Sequence, residues 1–161
     1  LQGDWSSDVC SSDLYSTHQG KSTSTPERVK MDEFWLRKDN VYYEEVKKCY
    51  AEVAKKYNED FADFTVNHTT DFRINRYGEG HFMSRHVDNI HHSHGQEWGY
   101  PQVSALLFLN DDYEGGEFQV SNAIFSPSWG SALIFPSNFM FPHSVDKITK
   151  GIRWSIVSWL M

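Results

Sequence analysis

From Asp71 to its end, this chain breaks into short runs of β-forming residues separated by Gly, Pro, Asn and Asp, with no helical pattern between them. The strand candidates are Asp71 to Tyr77, His81 to Val87, Val103 to Asn110, Glu117 to Ser121, Ser131 to Phe135, Phe141 to Val145 and Arg153 to Leu160. Strands at this density, without alternating helices, exclude a βαβ fold and argue for an antiparallel sandwich or jelly roll. With 161 residues, 39% of them hydrophobic and 16% aromatic, the chain can bury the core of one domain and not of two. Upstream, Tyr42, Val46, Cys49, Tyr50, Val53 and Tyr57 follow the spacing of an amphipathic helix over Asn40 to Asn58, with Asp39 or Asn40 as N-cap. Its role is to support the outside of a sheet.

The last strand carries a sharper pattern. Ile152, Trp154 and Ile156 alternate with Arg153 and Ser155, so the Arg and Ser share a face, and in a small barrel that face can be the interior. A cation buried there needs an anionic partner. His86 and Asp88 are two apart, so a strand projects both to the same side, and His143 must come from a strand brought alongside. Two imidazoles and one carboxylate are the ligand set of the Fe(II) facial triad. With 8 His in the chain, chance H-x-D pairs are easy, and a surface or core histidine is the ordinary role of any one of them. The arginine following His143 at Arg153 strengthens the metal reading.

These pieces fall in the order of a known family. Arg76-Tyr77-Gly78 precedes His86-x-Asp88; then come Leu107-Phe108-Leu109-Asn110-Asp111, Gly115-Gly116-Glu117-Phe118 and Pro127-x-x-Gly130-Ser131-Ala132-Leu133-Ile134-Phe135, and after them His143, Gly151-Ile152-Arg153-Trp154-Ser155 and Trp159. From about Phe72 onward the chain resembles the prolyl 4-hydroxylase-like branch of the 2-oxoglutarate- and Fe(II)-dependent dioxygenases. The resemblance implies a double-stranded β-helix with one or two N-terminal helices. It also implies Fe(II), 2-oxoglutarate and O2, with ascorbate as an accompanying reductant, and hydroxylation of a C–H bond. In one respect the chain departs from the pattern: collagen-type prolyl hydroxylases usually carry Lys where this chain has Arg153. The resemblance therefore speaks for the cofactor chemistry more than for proline as substrate, and a protein, peptide or small-molecule substrate all fit.

Within that resemblance His86, Asp88 and His143 are the expected metal ligands. Arg153 is expected on the distal carboxylate of 2-oxoglutarate, since a guanidinium fork matches a carboxylate in two bonds. Tyr77 occupies the place of a phenol that bonds the same carboxylate, a core Tyr being the alternative, and Ser155 is a second candidate hydroxyl. Trp159 and Phe135 wall the pocket or serve the core. Gly115 and Gly116 serve a turn or close approach of backbone, and the sequence assigns nothing to Asn75 and Asn110. The His-rich run His91, His92, His94 lies in a loop with Trp98 and Tyr100; a solvated loop in which Trp98 or Tyr100 touches substrate is preferred to a second metal site. A cupin-like metal-binding jelly roll without 2-oxoglutarate, or a non-catalytic interaction module, are the competing readings; neither uses both the ligands and Arg153.

Net charge of -7 and a pI near 5.5 leave no basic footprint for nucleic acid, and no segment has the ~20 apolar residues of a membrane span. Residues 1–14 resemble the in-frame translation of a sequencing adapter and are set aside. Without Asp4, Asp8 and Asp13, 22 acids become 19 against 15 bases, a charge of -4. Such a fusion implies a microbial or viral source and a native start further on, with Met31 as a candidate. Residues 15–30 read as a disordered lead-in and 31–161 as the one domain. Loss of Cys10 leaves Cys49 unable to form an intrachain disulfide, which fits a reducing cytoplasm, the host's for a viral protein. Deleting residues 1–14 should leave folding and activity unchanged; a loss of thermal stability well beyond the roughly 0.5 kcal/mol of a neutral surface change would show that the segment belongs to the protein.

Overall fold

The computed structural model describes residues 28–66, 68–89 and 99–161. The adapter-like span, most of the lead-in, the His-rich run and Trp98 lie outside the described residues. Among the described residues, twelve strands and one helix follow in order: β1 (Val29–Lys30), β2 (Asp32–Leu36), α1 (Tyr43–Asp60), β3 (Phe72–Tyr77), β4 (Phe82–His86), β5 (Val103–Phe108), β6 (Glu114–Gly115), β7 (Phe118–Val120), β8 (Ala123–Phe125), β9 (Ala132–Pro136), β10 (His143–Val145), β11 (Ile148–Lys150) and β12 (Arg153–Leu160). They form two five-stranded sheets, β2-β3-β12-β5-β9 and β1-β4-β10-β7-β8, with a two-stranded ribbon β11-β6. Every pairing is antiparallel. The fold is the jelly roll that the strand density and the resemblance imply.

The alternation along β12 sorts the interior into two cores. Val157 and Trp159 face inward with Tyr77, Leu106, Phe108 and Phe135, and meet Phe118, Val120, Val145 and Ile148 from the opposite layer. Ile156 and Leu160 face outward with Phe72, Ile74, Val103 and Ala105, where α1 covers them with Tyr43, Val46 and Tyr50. The helix is fastened as well as packed: the Tyr50 hydroxyl donates to the Ile156 carbonyl at 2.8 Å, and its ring stacks on Phe72 at 5.0 Å. Because β12 is central and both its faces are covered, the polar residues on its inner face have no route to bulk water except through a cavity.

Several expectations are corrected. The helix starts later than the sequence suggests, with Tyr42 as N-cap and no side-chain cap. Asn40 instead closes the preceding turn, its Oδ1 accepting the Tyr42 N–H at 2.9 Å. The lead-in expected to run to Lys30 gives way to sheet at β1, where Val29 and Lys30 pair with Met83 and Phe82. Strand β2 lies in a stretch for which the sequence carried no assignment. Its Phe34 and Leu36 join the outer core while Glu33 and Trp35 lie on the alternate face, so an acid at an inward position hides the strand's period. Strands β1, β6, β8 and β11 have only two or three residues each, too few to show a period.

Gly115 joins β6 to β11 at φ +75°, and a Cβ there would lie 2.4 Å from the Lys147 carbonyl oxygen. Gly115→Ala is expected to lower stability by roughly 1–3 kcal/mol, the size of left-handed backbone strain at a non-glycine residue, measured by denaturant unfolding.

Candidate metal centre and co-substrate cavity

Antiparallel pairing of β10 with β4 places His143 opposite His86. Asp88 follows just beyond β4, and the three side chains converge: one ligand atom from each lies within 4.8 Å of the others. His86 Nε2 is 3.4 Å from Asp88 Oδ1 and His143 Nε2 is 3.4 Å from Asp88 Oδ2. The far nitrogens face backbone carbonyls, His86 Nδ1 at 2.9 Å from Ser84 O and His143 Nδ1 at 3.4 Å from Phe141 O. A ring that donates from Nδ1 keeps its proton there and presents the Nε2 lone pair, the form a metal requires. Burial pushes the His143 imidazole down to about 4, against the opposing pull of Asp88, so it is neutral at physiological pH. Burial alone would raise the Asp88 carboxyl; His143, His86 and the Ser104 hydroxyl outweigh it and hold it well below the usual carboxylate range. A neutral His143 imidazole, the His86 imidazole and a carboxylate are therefore placed to share one divalent cation.

A polar cluster that sequence reasoning missed supports this carboxylate. Asp88 Oδ2 accepts from Ser104 Oγ at 2.6 Å and from the indole N–H of Trp159 at 2.8 Å, and Ser104 is bonded in turn to Ser137 at 2.8 Å. Trp159 thus grips Asp88 as well as walling the cavity. The available signal was Ser104 itself, a polar residue inside the apolar run of β5 and without exposure; such a hydroxyl must have a buried partner. Behind His143, the Phe135 ring packs at 4.9 Å, so it fixes the imidazole rather than facing the cavity.

The same cavity is lined by Arg153, Tyr77, Ser155 and Asn75 together with the three ligands. Arg153 has no exposed surface, and none of its three guanidinium nitrogens finds a hydrogen-bond partner among the described residues. Its charge rests only on ring faces, Tyr77 and Phe108 at 5.2 Å and Phe118 at 5.8 Å. Ser155 Oγ and Asn75 Oδ1 are buried and unpartnered as well. A fully desolvated guanidinium is costly unless an anion meets it, and the unpaired hydroxyl beside it adds a donor for the same anion. Tyr77 is 1% exposed, its hydroxyl donating only to the Met83 sulfur at 3.9 Å. The donor set fits a dicarboxylate that reaches from Arg153 toward the three ligands.

The remaining candidates take other places. Tyr100 is 46% exposed and outside the cavity lining. Asn110 is structural: its Nδ2 donates to Ile152 O at 2.6 Å and its Oδ1 accepts the Trp154 N–H at 2.7 Å, which ties the approach to β12 in register. Arg73, which the sequence did not single out, lines the cavity as a second cation, paired with Glu33 of β2 at 3.2 Å.

Comparison with known proteins agrees with this geometry. Residues 72–161 match the 2OG-Fe(II) oxygenase superfamily, and the chain belongs to that family. A PKHD-type hydroxylase of Rippkaea orientalis is 36% identical over 93 residues, covering 54% of this chain and 40% of that protein. Human prolyl 3-hydroxylase 2 is 40% identical over 67 residues, 37% of this chain and 10% of that protein. The chain thus spans well under half the length of these curated relatives. Among solved structures, a Pseudomonas putida prolyl-4-hydroxylase superposes with a TM-score of 0.68 at 19% identity, covering 84% of this chain and 74% of that one. A Trichoplax adhaerens prolyl hydroxylase in complex with a hypoxia inducible factor peptide fragment gives 0.70 at 19% identity, covering 87% and 66%. The family uses Fe(II) and 2-oxoglutarate, a metal and a dicarboxylate of the kind this donor set could hold.

Ser104→Ala removes one of the two neutral donors on Asp88 and should lower Fe(II) affinity about 10- to 100-fold, the usual cost of losing a partner of a metal ligand. Anaerobic Fe(II) titration of the purified variant measures it.

Proposed function

We propose that this chain is a 2-oxoglutarate- and Fe(II)-dependent hydroxylase, with His86, Asp88 and His143 as the iron ligands and Arg153 as the anchor for the distal carboxylate of 2-oxoglutarate. One observation carries the reading: a buried, unpartnered guanidinium shares a cavity with the three-ligand cluster. When bound, iron, 2-oxoglutarate and O2 supply the chemistry that inserts one oxygen atom into a C–H bond, releasing succinate and CO2. The chain's own residues bind and orient. Arg153 neutralises the far carboxylate, with Tyr77 and Ser155 as hydroxyl donors to the same group. Ser104 and Trp159 hold the Asp88 carboxylate in one orientation, while Val157, Leu106 and Phe118 keep the cavity wall apolar. A cupin-like site or a non-catalytic module would leave Arg153 buried without an anion, which disfavours both.

A peptidyl-prolyl residue is the substrate we propose first. The names of the PKHD-type and prolyl 3-hydroxylase relatives support it, as does the peptide held by the Trichoplax adhaerens enzyme. Ascorbate enters as the reductant to include in assays. A cytoplasmic location is the matching proposal for the compartment. Cys49 is free and exposed, and no helix among the described residues is long and apolar enough to cross a membrane. Incubating the purified protein with Fe(II), ascorbate, 2-oxoglutarate and a panel of proline-containing peptides should give succinate and, by mass spectrometry, a peptide that has gained one oxygen.

Substitutions at two positions test the assignments separately. His86→Ala should abolish succinate formation while the protein still melts cooperatively. Arg153→Ala should weaken 2-oxoglutarate binding by roughly 30-fold to several thousand-fold, which is the ~2–5 kcal/mol of truncating a desolvated charge pair. Fe(II) affinity should stay nearly unchanged, and Arg153→Lys should recover part of the loss without the fork geometry. Equal 2-oxoglutarate affinity in wild type and Arg153→Ala would overturn the anchor.

A further inference from the structure

Arg73 is a second guanidinium on the inner face of the sheet, and the binding of 2-oxoglutarate has no use for it. It projects from β3 into the cavity lining, and its largely buried side chain lies at ion-pair distance, 3.2 Å, from the Glu33 carboxylate, whose Oε2 makes no hydrogen bond among the described residues. Its guanidinium carbon sits 4.7 Å from the centre of the Trp159 ring. The same indole donates to Asp88 Oδ2 at 2.8 Å, and Trp35, the cross-strand partner of Arg73, closes the other approach with its ring 6.2 Å from Trp159. A continuous series of contacts therefore runs from edge strand β2 to a ligand of the metal: Glu33 to Arg73, Arg73 over Trp159, Trp159 to Asp88.

We propose that Arg73, held by Glu33, is a positioning residue for the metal centre, acting through Trp159 on the carboxylate of Asp88. The inference rests on the metal assignment above. A cation over an indole face is attracted to the ring quadrupole, which fixes the ring plane. It also draws electron density from the ring and makes the indole N–H a stronger donor. Asp88 Oδ2 then stays on Trp159 and Ser104, and Oδ1 is left for the cation. Glu33 has two tasks: it keeps the Arg73 head group from turning into the cavity, where it would compete with the metal for Asp88, and it cancels a positive charge that would otherwise repel a divalent ion. Trp159 also packs in the inner core, so the test reads metal affinity with the apolar stem of Arg73 retained.

Mn(II) affinity of the full chain, without 2-oxoglutarate or turnover, is the measurement. His86→Ala should abolish Mn(II) binding; retained binding there would overturn the metal assignment itself, independently of Arg73. Arg73→Met keeps the apolar stem and loses the charge, and should weaken Mn(II) binding about tenfold, toward the lower end of the usual cost of losing a group behind a ligand. Arg73→Lys, which restores a cation over the ring, should recover most of that loss. Trp159→Phe should show a loss at least as large, and adding Arg73→Met to it should cost nothing more, because the indole is the intermediary. Wild-type affinity in Arg73→Met, no recovery with Lys, or additive losses in the double variant would each overturn the proposal. Should Arg73→Met fail to fold, Glu33→Gln provides the same decision: a severalfold loss of Mn(II) affinity supports the series, and an unchanged affinity ends it.

Discussion

The rest of this structure is arranged around a guanidinium with no exposed surface. Arg153 sits on β12, the central strand of its sheet, with both faces covered, and none of its guanidinium nitrogens is bonded among the described residues. Leaving a charge there costs several kcal/mol, which no set of aromatic faces at 5 to 6 Å repays in full. The fold tolerates it because Trp154 and Ile156, on either side of the inward-facing Ser155, bury apolar surface toward α1 and hold the strand regardless of what its inner face carries. Apolar packing is thus supplied on one face of β12, while the other carries the unpartnered polar groups of the cavity.

That division explains the placement of the metal cluster. The candidate ligands come from the paired strands β4 and β10 and from Asp88 just past β4, while the groups that hold Asp88, Ser104 and Trp159, come from the facing sheet across the cavity. Asp88 is the point where the two layers meet. An apolar contact between sheets can slide by a fraction of an ångström at little cost, but a carboxylate gripped by two donors from the opposite layer cannot. The hydrogen bonds to Asp88 therefore register the two sheets against each other as well as aiming a ligand.

Much of this was legible in the residues themselves. The strand periods from β3 onward, the His86, Asp88 and His143 spacing and the inward alternation of Arg153 with Ser155 are local patterns, and the described structure follows them. What escaped notice was either too short to have a period, as in β6, β8 and β11, or had a polar residue at an inward position. Glu33 is the clearest case: an acid on the buried side of β2 makes the strand look like surface, and only its pairing with Arg73 makes it an interior residue. Trp159 was recognised as a wall from its ring, yet its indole N–H had no assigned partner because the acceptor lies 71 positions away in the chain.

The sequence by itself determined the fold class and singled out His86, Asp88, His143 and Arg153 as candidates, because each reading depends on alternation along one strand or on residue chemistry that no neighbour alters. Only the tertiary structure decided which nitrogens of His86 and His143 face the site and which oxygen of Asp88 is held back. It alone revealed that Arg73 stands behind Trp159. Those outcomes depend on the register of β4 against β10 and on the approach of one sheet to the other. Distances of about 3 Å between residues far apart in the chain are set by packing, on which local sequence carries no information.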